Sequence, residues 1–418
     1  MMIANIYEME METNLKSEIW QWPEIDLIHL YEVFVERKLH IYLTEKQKDD
    51  ITNSSVLHNF EYLKETLFNK FEKCALVAIL PPAVLQSLHD KKIEETIQPF
   101  LVKVQAGKDK RGIVMNVVDG KPQFVHRTFG EFFTARWFSR NFKFNRIVLE
   151  DILFDDSYWF MTDMFDRMLA RDNPLHCAVT DTDLERYETL LEEGRDFNIL
   201  DRGGRTFTHL IAKHRWMSSY IIRNDPKYEV SFDITDSVLQ WTPLQYAIKT
   251  KHWFTVEQLL RNNVDKSGLD MIRQKAQDPD YIDPIIIQAA RNSHLLLLEF
   301  LCSIGVNIHQ ASDSNFPSPL HAAIRGQLSP VIRWLIQHGA DCNTAYSDGQ
   351  TPLFYAVTTG SLDVVRALVE EGGASLDIRD AHGNTAIDWA KECERNRTNP
   401  RRIAEIVQYL EERLRKNH

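Results

Sequence analysis

The sequence predicts a mainly α-helical protein: a solenoid of helical repeats preceded by a smaller helical domain that carries a short β-hairpin. Three patterns support this fold class. A four-residue segment recurs along the C-terminal half, apolar residues follow a helical period in the N-terminal third, and a tight-turn pair separates two apolar runs. Recurrence every 20 to 50 residues is the mark of stacked units, each of which buries its apolar face against the next.

The recurring segment begins near residues 173, 206, 242, 284, 318, 351 and 385, at separations of 33, 36, 42, 34, 33 and 34 residues. The clearest single unit is Thr351 to Leu376, which opens with Thr351-Pro352-Leu353-Phe354. A unit of about 33 residues that opens with Thr-Pro-Leu-His resembles the ankyrin repeat. The resemblance implies stacked helix pairs over residues 173–418, behind a separate domain formed by residues 1–170.

Each position of the repeat has a physical role. Thr or Ser at the first position is expected to cap the inner helix by accepting a backbone N–H, and Pro suits the first turn. The longest spacing predicts an inserted loop at Ser267–Asp280. The polar stretch Glu392–Pro400 delays the last helix, which is predicted at Ile403–Leu414 with the charged outer face of a terminal unit.

The N-terminal third has no such period. Apolar residues at helical spacing predict amphipathic helices at Asp26–Lys38 and Val56–Ala78. The run Ile113–Val118, the turn pair Asp119-Gly120 and the run Phe124–His126 predict a β-hairpin. Helices followed by a hairpin predict a winged-helix-like domain.

The segment from Phe124 to Ala135, Phe-Val-His-Arg-Thr-Phe-Gly-Glu-Phe-Phe-Thr-Ala, fits the pattern F-x-H-x-T-F-x-E-(Y/F)-F-x-A. It resembles the end of the winged-helix domain in NACHT-type (STAND) signalling ATPases, and the order of its domains is similar to insect NACHT–ankyrin proteins. The resemblance implies that His126 contacts the phosphate of bound ADP. The alternative is a histidine that packs beside the aromatic residues or caps a helix.

A nucleotide site of that kind needs a GxxxxGK[ST] loop. The nearest segment, Gly107 to Gly112, is followed by Ile113-Val114 where Lys and Ser or Thr are required, so it predicts a solvated basic turn. No catalytic motif, cofactor site or metal-ligand spacing is present in the sequence. We therefore expect no enzyme activity, no cofactor and no metal.

Composition restricts the partners and the location. The net charge of -11 argues against nucleic acid as a partner. The longest apolar stretch, Ala75–Leu85, is too short to span a bilayer, the N-terminal residues lack a signal-peptide pattern, and five scattered cysteines do not form a disulfide framework. We expect a cytoplasmic protein that has no membrane partner.

The ankyrin resemblance implies a concave binding surface made of hairpin tips and the exposed ridge of the inner helices. The partner-binding candidates are Arg202, Arg205 and Gln350 at the tips, and Lys213, His214, Lys249, Arg291, Asn292 and Arg325 on the ridge. A cation in four successive units predicts an acidic or phosphorylated protein partner. The alternative is a solvated ridge without a binding role.

The sequence therefore predicts a non-catalytic protein-interaction scaffold or sensor that uses the concave face of an ankyrin array. The alternative is the regulatory C-terminal half of a nucleotide-switched NACHT-type ATPase whose P-loop is absent from this chain.

Overall fold

The computed structural model describes residues 26–42, 54–109, 111–193, 196–214, 231–261, 269–309, 318–346, 348–395 and 400–417. Two compact units account for them: residues 1–210 with 234–241, and residues 211–233 with 242–418. The units therefore divide after Leu210 and not near residue 172, because the first repeat helix packs against the helix before it. The functional boundary after residue 170 stays a prediction.

The first unit contains nine complete α-helices, two short 3-10 helices (Phe142–Phe144 and Asp156–Tyr158) and two strands among the described residues. They are α1 (Leu27–Ile41), α2 (Ser54–Ile79), α3 (Pro82–Ser87), α4 (Ile93–Gln105), β1 (Val114–Val118), β2 (Lys121–Phe124), α5 (Arg127–Asn141), α6 (Arg146–Ile152), α7 (Trp159–Ala170), α8 (Pro174–Asp181) and α9 (Leu184–Glu192). The two amphipathic helices predicted from apolar spacing are confirmed as α1 and α2.

The predicted hairpin and its turn are confirmed, but the second strand is Lys121–Phe124 and not Phe124–His126. β1 and β2 pair antiparallel, with Val118 opposite Lys121. Asp119 and Gly120 form the turn with φ of 51° and 77°, the left-handed region that this turn requires. The sheet has only these two strands among the described residues. The wider winged-helix fold stays a prediction.

Aromatic side chains of α5 form the centre of the first unit, where α5 packs against both α2 and α7. Phe129, Phe132 and Phe133 are fully buried. The ring of Tyr31 from α1 stacks on Phe132 with centroids 5.0 Å apart, and Phe68 from α2 meets Phe133 edge-on at 5.6 Å. The dozen residues of the NACHT-like motif therefore have a packing role that accounts for its aromatic residues.

The remaining helices continue the repeats. They are α10 (Phe207–Lys213), α11 (Pro243–Lys249), α12 (Trp253–Arg261), α13 (Asp270–Arg273), α14 (Pro279–Arg291), α15 (Leu295–Ser303), α16 (Pro319–Arg325), α17 (Ser329–Gln337), α18 (Pro352–Thr359), α19 (Leu362–Arg366), α20 (Ala386–Arg395) and α21 (Pro400–Asn417). A π-helical turn, Ala367–Glu371, extends α19. The delayed terminal helix is confirmed as α21.

In the second unit the helices form two layers. The inner helices pack in sequence, α14 on α16, α16 on α18 and α18 on α20, while the outer helices α12 and α15 pack together beside them. A helix pair typical of the array starts at Thr351, whose backbone is extended, with Pro352 in the first turn. Gly360 ends α18 in the left-handed conformation, with φ of 70°. Leu353, on the inner layer, is fully buried.

The fourth repeat departs from the prediction. Its inner helix begins at Pro279, five residues before the expected start, so that Pro284 lies inside α14. The predicted loop at Ser267–Asp280 is wrong in part: Asp270–Arg273 forms the short helix α13, and residues 274–278 form the connection to α14. Ile272 and Ile282 are buried and give these helices apolar anchors that no turn residue signals.

None of the helices in the described part of the chain combines the length and the hydropathy that crossing a bilayer requires.

Candidate protein-binding surface

Histidines at the fourth position of the repeat organise the start of the inner helices. In the second repeat, Thr206 Oγ1 lies 2.8 Å from His209 Nδ1, and in the fifth, Ser318 Oγ lies 2.8 Å from His321 Nδ1. The expected hydroxyl cap on a backbone N–H is therefore wrong at these two positions. The hydroxyl pairs with the imidazole, and at Thr206 the backbone N–H is 3.1 Å from His209 Nδ1.

In the first and second repeats, the Nε2 atom of the histidine reaches a backbone carbonyl of the next hairpin. His209 Nε2 lies 3.0 Å from the carbonyl oxygen of Trp241, and His176 Nε2 lies 2.8 Å from that of Arg205. Burial lowers the pKa of His209 and His321 to about 4, so both are neutral near pH 7. A neutral imidazole that donates to a carbonyl fixes the spacing from one repeat to the next.

Carboxylates organise the hairpin tips. Asp380 Oδ1 accepts the backbone N–H groups of His382 and Asn384, each at 2.9 Å. Asp348 Oδ1 accepts the N–H of Gln350 at 3.0 Å, so the predicted tip residue Gln350 lies half-buried in a hydrogen-bonded turn. The tips are thus fixed by their own backbone contacts.

The two arginines predicted at the second hairpin have different environments. Arg202 is exposed and its Nε lies 2.6 Å from Asp172. Arg205 is not a surface residue: its side chain is 1% exposed and lies between the fully buried carboxylates of Asp166 and Asp201. The prediction that Arg205 contacts a partner is wrong, because this guanidinium joins the hairpin to α7 as a buried ion pair.

The ridge residues lie at equivalent places in successive repeats. Lys213, Lys249, Arg291 and Arg325 are the last residues of α10, α11, α14 and α16. Arg291 and Arg325 are exposed, whereas Lys213 and Lys249 are half-buried. Of the two other candidates on this ridge, His214 is half-buried and Asn292 is exposed. A cation at a helix C-terminus also complements the helix dipole, so each residue has a structural reason as well.

An aromatic cluster on the same layer was not predicted. Tyr355 and Trp389 each lie four residues after the start of a repeat, on α18 and α20, and both are half-exposed. Tyr346, from the preceding hairpin, lies with its ring centroid 6.3 Å from that of Tyr355. The signal available in the sequence was the shared register of Tyr355 and Trp389. Register alone does not identify a surface residue, because Tyr246 occupies the same repeat position and is fully buried.

His126 is exposed and caps the helix that follows it. Its Nδ1 lies 2.9 Å from Thr128 Oγ1 and accepts the Thr128 backbone N–H at 3.3 Å. This geometry matches the capping alternative. The contact with a nucleotide phosphate implied by the NACHT-type resemblance stays a prediction. The described residues include no group of His, Cys, Asp or Glu side chains suited to a metal ion.

Comparison with known proteins identifies the repeats. Residues 286–380 and 343–414 match the family model for ankyrin repeats, in three copies. The chain is 29% identical over 197 residues to the B-cell lymphoma 3 protein homolog of Mus musculus, a match that spans 47% of this chain and 42% of that protein. It is 32% identical over 155 residues to the putative ankyrin repeat protein FPV031 of Fowlpox virus (strain NVSL), across 36% of this chain and 43% of that protein.

A third relative, ankyrin repeat domain-containing protein 37 of Bos taurus, is 33% identical over 96 residues, which is 23% of this chain and 60% of that protein. The solved ankyrin repeat domain of Bcl-3 is 24% identical and covers 52% of this chain and 93% of that chain, with a TM-score of 0.29. The chain spans less than half the length of the first two relatives. It contains ankyrin repeats and has the mainly helical fold that they form.

Proposed function

We propose that this chain is a non-catalytic scaffold or sensor, acting in the cytoplasm, whose ankyrin repeats hold an acidic or phosphorylated segment of a protein partner. The proposal is carried by one observation: four successive inner helices end in a cation, at Lys213, Lys249, Arg291 and Arg325. The helix dipole favours a cation at any helix C-terminus. It does not account for the run, since α8 ends in Asp181 and α18 in Thr359.

The cations on the ridge differ in sign from the chain as a whole, so any attraction to an acidic partner must come from this local row. With a net charge of -11, the protein as a whole repels an acidic partner. A row of cations on one layer of helices provides an attractive site within that field, and such complementarity sets partner choice and association rate. Phosphate groups would strengthen the contact through charge-assisted hydrogen bonds to the two arginines.

The regulatory half of a nucleotide-switched ATPase is not favoured by any contact among the described residues. His126, the residue that the NACHT-type resemblance implies for nucleotide contact, hydrogen-bonds within its own helix start. We therefore retain the scaffold as the single proposed function.

The test is charge reversal with a matched control. K249E/R291E reverses two ridge cations, and R401E/R402E makes the same change of charge at exposed positions of α21. Partners captured from a cell extract by the full chain should fall at least tenfold with K249E/R291E and stay within about twofold with R401E/R402E. Circular dichroism checks that both variants are folded. Equal capture by K249E/R291E that also resists added salt would overturn the proposal.

A further inference from the structure

The aromatic cluster, defined by Tyr346, Tyr355 and Trp389, consists of two residues on the inner helices α18 and α20 and one from the hairpin before α18. Tyr355 and Trp389 occupy equivalent positions on α18 and α20, and these two helices pack against each other. Thr358, one turn after Tyr355, is exposed on the same helix. The rings of Tyr346 and Tyr355 adjoin one another, Trp389 hydrogen-bonds to Thr358 on α18, and all three side chains are partly exposed. Tyrosine and tryptophan are residue types that dominate binding energy at protein interfaces.

The cluster is held in place before any partner arrives. The indole Nε1 of Trp389 donates a hydrogen bond of 3.0 Å to Thr358 Oγ1 on the neighbouring helix. The ring of Tyr355 meets His321 edge-on, with centroids 5.4 Å apart and an interplanar angle of 86°. Tyr346 closes the other side at 6.3 Å. Aromatic side chains fixed in this way lose little conformational freedom on binding.

The cluster adjoins the row of cations. The ring of Tyr355 contacts His321 on the neighbouring helix α16, and Arg325 lies one turn after His321. Arg325 ends α16, the helix beside α18, and Arg291 ends α14 beyond it. Asp348 lies in the hairpin before α18, where its Oδ1 accepts the backbone N–H of Gln350. The hairpin before α18 therefore carries a carboxylate, while the inner helices of the two preceding repeats end in arginines.

We propose that these repeats bind an extended peptide that has one apolar anchor residue on the aromatic cluster and acidic or phosphorylated residues at about every third position toward Arg325 and Arg291. The proposal rests on the proposed function and specifies its partner. Packed helices lie about 8–10 Å apart. An extended chain advances about 3.3 Å per residue. One repeat therefore matches about three peptide residues, and an apolar anchor is the group that a fixed aromatic surface desolvates best.

The preferred peptide sequence can be determined by selection. A displayed library of random peptides about twelve residues long is selected for binding to the full chain. We expect enrichment of one apolar or aromatic residue with Asp or Glu at third-residue intervals on one side of it. Enriched peptides without that interval, or the failure to enrich any peptide, would overturn the proposal.

Variants locate the site. Y355A and W389A should each weaken an enriched peptide at least tenfold, whereas F254A, on the outer helix α12 with its side chain 43% exposed, should leave affinity within about twofold. Two variants of the cluster are used so that the test remains valid if one of them does not fold. If K249E/R291E abolishes capture of natural partners but Y355A and W389A bind the peptide normally, this inference fails and the proposed function stands. If enriched peptides are basic or neutral, both fail.

Discussion

The buried ion pair at the second hairpin provides the sharpest test of the structure. Arg205 Nη1 lies 2.5 Å from Asp166 Oδ1, and its Nε lies 2.8 Å from Asp201 Oδ2. The side chain of Arg205 is 1% exposed and those of both aspartates are 0% exposed. In R205M the apolar stem is retained while two buried carboxylates lose their counter-charge.

The expected cost is large. Removing one partner of a buried ion pair destabilises a protein by about 3–5 kcal/mol, because the remaining charge is buried without compensation. That is a sizeable fraction of the roughly 5–15 kcal/mol that stabilises a typical domain. R202A is the matched control. Arg202 and Asp172 are 58% and 65% exposed, so the loss of their ion pair should cost less than about 1 kcal/mol.

The assay is urea unfolding of the full chain, with hydrogen exchange at residues 201–210 to locate the effect in this hairpin. A second variant, R205M/D166L/D201N, removes all three charges and should regain part of the stability that R205M loses. The reasoning is refuted if R205M unfolds like the wild type and instead loses partner binding. That result would return Arg205 to the surface role that the sequence indicated.

Three further predictions concern the second unit. His321 has a folded pKa of about 4 because of burial, below its ordinary 6.5, so its stabilising contribution is complete above about pH 6.5 and is lost as pH falls toward 4. Denaturant unfolding at pH 7 and pH 5 should therefore show a smaller drop in H321Q than in the wild type; equal drops would contradict the buried neutral imidazole. G372A should cost about 1–3 kcal/mol, since its added Cβ would overlap Cys342 Sγ and lie 2.9 Å from the Leu368 carbonyl oxygen. C342A should partly rescue it in thermal unfolding, and additive losses would argue against that contact. Y409F, which removes a 3.0 Å hydrogen bond to the exposed Glu370, should change unfolding stability by less than about 1 kcal/mol; a larger loss would mean that this contact anchors α21.

The fold was largely predictable because its signals are local. The separations between Thr-Pro-Leu-His variants located most of the inner helices, since a proline after a capping residue fixes a helix start whatever packs against it. The same is true of Asp119-Gly120, whose backbone preference defines the hairpin turn. In the fourth repeat the proline predicted the wrong helix start. Pro284 looked like a helix start, but the buried Ile282 extends α14 back to Pro279.

The candidate surface was only partly predictable. The row of cations was found because those residues recur at the same repeat position. Arg205 was misplaced because hairpin position was taken as evidence of exposure, whereas the two carboxylates that bury it come from α7 and from its own turn. The aromatic cluster was missed because Tyr246 and Tyr355 share a position and differ only in burial.

The sequence alone determined the repeat, most of the inner-helix starts, the hairpin turn and the charge of the inner ridge, all of which depend on residues within one turn or one repeat. Only the tertiary structure decided which side chains remain at the surface. Burial depends on what the neighbouring helix places opposite a residue, and that neighbour is about 33 positions away in an ankyrin array. For the same reason it was tertiary packing that made Arg205 part of the interior and left Tyr355 and Trp389 partly exposed.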